Sequence, residues 1–195
     1  VSGYPSWILT NAEGDVLAPL SGPRTTEGFA TLMQGAADYM ELAGKAELTA
    51  AEATKLFLIK LGMGKFDFDQ AKAEAAKLSD VSEEDQAKID DALLGMEIVS
   101  LGPKARTPEA AAAAGQAYAE MMANGREPKE GETQAFQMFY ILMMEYANQS
   151  DDVALFEKAL AKMRTVFGEN PQAARFFEAR EKQLAELKAR AGAGD

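Results

Sequence analysis

The sequence predicts a mainly α protein with a small N-terminal ββα piece, and three patterns carry that expectation. Helix-starting residues recur in front of apolar side chains at helical spacing, glycines close many of the same stretches, and strand-like runs are confined to about the first twenty residues. The helical remainder reads as a series of antiparallel helix hairpins.

The N-terminal piece is read from its turn outward. Trp7-Ile-Leu-Thr10 is a short β-branched and aromatic run, and Val16-Leu-Ala-Pro-Leu20 is a second apolar run. Between them lies Asn11-Ala-Glu-Gly-Asp15. Asn and Asp tolerate left-handed backbone and Gly14 supplies positive φ, so the two runs are joined as a hairpin. Pro19 donates no ladder hydrogen bond, which places the second strand at a sheet edge or ends it there. Ser21-Gly-Pro-Arg24 breaks the pattern, and Thr25 or Thr26 caps a helix with Phe29, Leu32, Met33 and Ala36 at helical spacing.

Val1, Gly3-Tyr4-Pro5-Ser6, the hairpin, Gly22 and the helix from Thr26 stand in the order strand, X-Pro, strand, turn, strand, Gly, helix. That order resembles the C-terminal half of thioredoxins. The resemblance covers residues 1–36. It implies a cis bond at Pro5, which only an X-Pro step adopts at low cost, and a substrate groove faced by Tyr4 and Pro5. In that family the redox CxxC precedes the cis-proline by roughly 40–60 residues, so its counterpart is expected upstream of Val1. The chain itself contains no cysteine.

The helices arise from local chemistry. Thr49-Ala-Ala-Glu52 is a capping-box pattern, and Gly62-Met-Gly64 stops the helix it starts. Phe66-Asp-Phe-Asp69 leads into a second helix with Ala71 and Ala75. Ser82-Glu-Glu-Asp85 puts acidic groups at the positive end of a helix running through Ile89, Leu94 and Ile98 to Gly102. Thr107-Pro108 begins an alanine-rich helix that ends at Asn124-Gly125. From about Thr133 to Ala147 runs the most apolar segment, apolar on nearly all sides and too short to span a bilayer, hence a central buried helix. Its Met138, Met143 and Met144 read as core, with an adaptable binding groove as the alternative. Ser150-Asp-Asp152 and Asn170-Pro171 start the last two helices.

Ala53-x3-Phe57-x3-Leu61-Gly62, Phe68-x2-Ala71-x3-Ala75, Phe156-x2-Ala159 and Pro171 resemble tetratricopeptide-type helix pairs. The helix starts do not keep the 34-residue period of that family. Stacked helix hairpins leave a concave face of the kind that binds peptides or partner helices. The expected organisation is a partial thioredoxin-like element over residues 1–43 and a helical-hairpin domain over residues 44–195.

Composition narrows the chemistry. The 195 residues include no histidine and no cysteine, which removes thiolate nucleophiles, His general bases, Ser-His-Asp triads and the usual zinc sites. No catalytic residue, metal ligand or cofactor is assigned. The acidic groups at Asp67/Asp69, Asp80 with Glu83–Asp85, and Asp90/Asp91 read as helix starts and solvated surface, since none has the spacing of a calcium loop. Gly62-Met-Gly-Lys65 lacks the spacing of a phosphate loop. Tyr118, Tyr140 and Tyr146 read as buried hydroxyls with bonded partners.

A net charge of −11 argues against general nucleic-acid binding. Residues 41–100 carry 13 acidic and 7 basic side chains, whereas residues 157–190 carry 5 and 8. Separate solvated helix surfaces account for this, and a basic last helix docking on an acidic patch is the alternative. Mean hydropathy is −0.22 and no apolar run approaches the ~18–20 residues of a membrane span. The partners expected are therefore proteins or peptides, not nucleic acid or membrane. A half domain exposes a strand edge and an unfilled apolar face, and a homo-oligomer through that edge is one way to cover them. Cytoplasmic and periplasmic locations both fit.

Two functions fit these observations. The first is the C-terminal part of a thioredoxin-like thiol-disulfide protein whose helical extension binds protein or peptide partners. The second is a non-enzymatic helical scaffold with a degenerate thioredoxin element.

Overall fold

Capping chemistry sets the helix boundaries. The computed structural model describes residues 8–11, 16–19, 25–102, 107–130 and 133–192. Within them the elements run β1 (Ile8–Thr10), β2 (Val16–Pro19), α1 (Thr26–Ala43), α2 (Ala50–Gly62), α3 (Phe68–Ala75), α4 (Glu83–Leu101), α5 (Pro108–Ala123), α6 (Thr133–Gln149), α7 (Val153–Phe167) and α8 (Ala174–Gly192). The protein is mainly helical, as the sequence predicts. Tyr4 and Pro5, the residues expected to face a substrate groove, lie outside the described residues, as does the expected strand at Val1.

The chain forms two compact units, Val1–Leu93 and Leu94–Asp195. The division falls inside α4. Within the first unit α1 packs against α2 and is joined to it by an ion pair from Asp38 to Lys55 (2.8 Å).

In the first unit β1 and β2 pair antiparallel, with Ile8 opposite Pro19 and Leu9 opposite Ala18, and an irregularity between Leu9 and Thr10. Pro19 is the last residue of β2, where its missing N–H disturbs the ladder least. Thr25 caps α1 by accepting from the Gly28 amide (3.1 Å). Thr49 and Glu52 form the expected capping box on α2, and Asp67 and Gln70 form another on α3. Gly64, at φ +66°, makes the turn after α2 in the left-handed region that glycine enters without steric cost. Phe66 stacks on Phe57 with ring centroids 5.7 Å apart, tying the α2–α3 connection down. At α4 the Asp85 amide donates to Ser82 Oγ (3.2 Å), so this acidic run serves a helix start.

The second unit is organised around α6. Its Phe139, Met143, Met144 and Ala147 are wholly buried, with α5 and α7 packed beside it and α8 closing over both α6 and α7. The core reading of Met143 and Met144 is the one observed. Pro108 occupies the first turn of α5 behind the Thr107 cap, and Asp152 caps α7 by accepting from the Leu155 amide (2.9 Å). One boundary differs from expectation. Pro171–Ala173 form a 3₁₀ turn and α8 begins at Ala174. Asn170 takes the Gln172 amide (3.0 Å), which supports this tighter first turn.

Polar ties cross this unit. The Tyr118 hydroxyl donates to the Ile98 carbonyl (2.7 Å), fixing α5 to the end of α4. Tyr140 donates to Glu127 Oε2 (2.7 Å), and the Lys162 ammonium approaches the same oxygen (2.8 Å). Arg180 pairs with Glu145 (2.6 Å), Lys188 with Glu157 (2.5 Å) and Arg190 with Asp151 (3.2 Å). Three basic side chains of α8 are thus neutralised by α6, α7 and the turn between them.

Candidate docking surface on the first helix

Among the side chains whose burial is described, the exposed large hydrophobic ones all belong to α1: Phe29 is 44% exposed, Met33 45% and Met40 50%. At 100° per residue, positions 29, 33 and 40 fall within about 40° of one another, so the three form a single stripe. Helical spacing alone places Phe29 and Met33 on the packed face of this helix. In the structure the packed side is offset from that stripe. Ala36 and Leu42 are buried, and Leu32 and Tyr39 are half-buried. Small Ala36 permits close packing, leaving the longer side chains at the edge outside it.

The charges of α1 have one sign. Glu27, Asp38 and Glu41 lie on it, with no lysine or arginine. Asp38 is engaged. Lys55 bonds it, Gln34 donates to it (2.8 Å), and together they hold its carboxyl below the usual carboxylate range. Glu41 lies 3.6 Å from Lys45 with its side chain 72% exposed. Lys45 is held more closely by Glu52 (2.7 Å). Helical spacing puts Glu41 about 80–100° round the helix from Met33 and Met40, on the flank of the apolar stripe, whereas Glu27 stands about 160° from Phe29, on the far side of the helix. Over the whole unit, residues 1–93 carry 16 acidic and 8 basic side chains, against 15 and 12 for residues 94–195.

Other places among the described residues offer less chemistry. A depression of about 560 Å³ is lined by Ala51, Lys55, Leu58, Ile59, Asp85 and Lys88. Both its ammonium groups are already paired, Lys55 with Asp38 and Lys88 with Glu84 (2.8 Å) and Asp85 (3.0 Å). The acidic pairs noted in the sequence are partly accounted for. Asp67 caps α3 and Asp85 bonds Ser82 and Lys88, and the described residues contain no group of three or more acidic side chains able to hold a metal ion. No helix among them is long and apolar enough to cross a membrane.

Tyr118 and Tyr140 serve packing. Burial, with Glu97 nearby, pushes the Tyr118 hydroxyl up to about 12, and burial with the Glu127 hydrogen bond raises Tyr140 further from its ordinary range. Burial alone would raise Glu127, but Lys162 and Tyr140 outweigh it and leave its carboxyl lowered. This triad therefore holds a fixed charge and a neutral phenol, an arrangement that clamps α6 to α7.

Met40 is the member of the stripe that the sequence pattern did not single out, although its position seven residues after Met33 carries the signal. No family model, curated protein or solved structure matches the chain.

Proposed function

We propose that this chain is a non-enzymatic protein-interaction module whose docking surface is the α1 stripe of Phe29, Met33 and Met40. The observation that carries the reading is their shared exposure on one helix face. Elsewhere, the large apolar side chains whose burial is described are at least partly withdrawn from water. A concentrated, rimmed apolar patch is the usual mark of a protein-binding surface. The absence of cysteine and histidine is consistent with binding as the activity.

A second reading is favoured by the order β1, β2, α1. On it, residues 1–43 are the substrate side of a thioredoxin-like domain, Tyr4 and Pro5 contribute to a peptide groove, and the parent protein supplies its CxxC from upstream sequence. The stripe is then covered by that upstream part of the same protein.

A photo-crosslinking amino acid at position 33, in the protein expressed from its own gene in its own cell, separates the two. An adduct with a discrete second protein, missing when the crosslinker stands at exposed Gln116, supports the docking surface. An intramolecular adduct supports the thioredoxin-like reading, and no adduct at position 33 contradicts both.

A further inference from the structure

The stripe constrains the chemistry of its occupant, on the reading just given that it is a docking surface. Phe29 to Met40 spans eleven residues of helix, about 16 Å along its axis. An α-helix commits its central backbone amides internally, so α1 presents no edge on which an extended peptide could add as a strand. A convex row of long side chains is instead complementary to the grooves of another helix, and methionine adapts to varied surfaces.

Charge selects among helices. A second copy would bring Glu41 against the same carboxylate, on a unit with 16 acidic and only 8 basic side chains. Three half-exposed side chains also fall well short of the ~800 Å² per partner that a stable dimer buries. An anionic lipid surface is repelled for the same electrostatic reason. We infer that the occupant is a short basic amphipathic helix of a partner protein. It lays apolar residues at i, i+4, i+7 and i+11 along Phe29, Met33 and Met40, with lysine or arginine at the edge that meets Glu41.

The test uses two labelled synthetic peptides of about 18 residues, identical in their leucine seam and carrying either Lys or Glu at the flanks. Binding to the full chain is measured by fluorescence anisotropy. The Lys-flanked peptide is expected to bind in the micromolar range and the Glu-flanked peptide about tenfold or more weaker. The double variant Met33→Ser/Met40→Ser should weaken the Lys peptide about tenfold at unchanged circular dichroism. Glu41→Lys should cut the preference for the Lys-flanked peptide by about threefold or more. Equal affinity for both peptides, or binding indifferent to both variants, overturns the inference. If neither peptide binds while position 33 still crosslinks a protein in cells, the basic helix falls and the docking surface stands. If position 33 crosslinks nothing, both fall.

Discussion

Gly115 on α5 lies so near α6 that a Cβ built on it would stand 2.2 Å from the Leu142 carbonyl oxygen and 2.6 Å from Tyr146 Cβ. On an open helix surface, Gly→Ala gains up to about 1 kcal/mol through backbone entropy and propensity. Here the obstacle is backbone, which cannot rotate aside. Gly115→Ala is therefore expected to destabilise the second unit by about 1–3 kcal/mol, the range of overpacked cores. Urea unfolding monitored by circular dichroism reads this directly, and an unchanged or raised midpoint would contradict the close approach.

Thr54 on α2 is buried and its Oγ1 has no hydrogen-bond partner among the described residues. An unsatisfied buried hydroxyl carries its full desolvation penalty, and valine has nearly the same shape. Thr54→Val should raise stability by about 1 kcal/mol. Loss of stability would show that the hydroxyl has a partner after all.

The shifted groups define two pH windows. Lys45 first, then the Thr49 amide and hydroxyl, lower Glu52 from its ordinary 4.5 to about 2. A carboxyl depressed in the folded state adds stability that is present above 4.5 and lost as the pH falls toward 2. Glu52→Gln should flatten the acid side of the stability profile. Tyr118 moves the other way, from 10.0 to about 12, so its contribution is full below 10 and is lost as the pH rises toward 12. Ultraviolet titration should show Tyr118 and Tyr140 ionising only as helix is lost, and Tyr118→Phe should cost about 1 kcal/mol through the lost bond to Ile98.

Methionine substitutions separate surface from core. Met33→Ser and Met40→Ser should each change stability by less than about 0.5 kcal/mol, because these side chains are half in water. Met143→Ala should cost about 2–5 kcal/mol, since Met143 is fully buried. Equal effects at the two places would remove the distinction between stripe and core.

Local features are legible in the sequence and spatial ones are hidden. Thr49/Glu52, Thr107-Pro108 and Asp152 act within three residues of themselves, so their caps can be read from spacing alone. The all-round apolar character of α6 likewise announces a central helix. The exposure of Phe29 and Met33 is hidden because periodicity identifies an apolar face without saying whether anything covers it. The pairing of Arg190 with Asp151 and of Arg180 with Glu145 joins residues far apart in sequence, which charge counts along the chain cannot resolve. Gly115 sits in an alanine-rich run with nothing local to mark it, its constraint arising from α6 rather than from its own helix.

Methyl resonances of labelled methionines test the central claim most directly. On titration with the Lys-flanked peptide, the Met33 and Met40 methyls are expected to shift while Met143 and Met144 in the α6 core stay in place. Shifts at Met143 and Met144 with Met33 and Met40 unmoved would contradict a docking surface on α1.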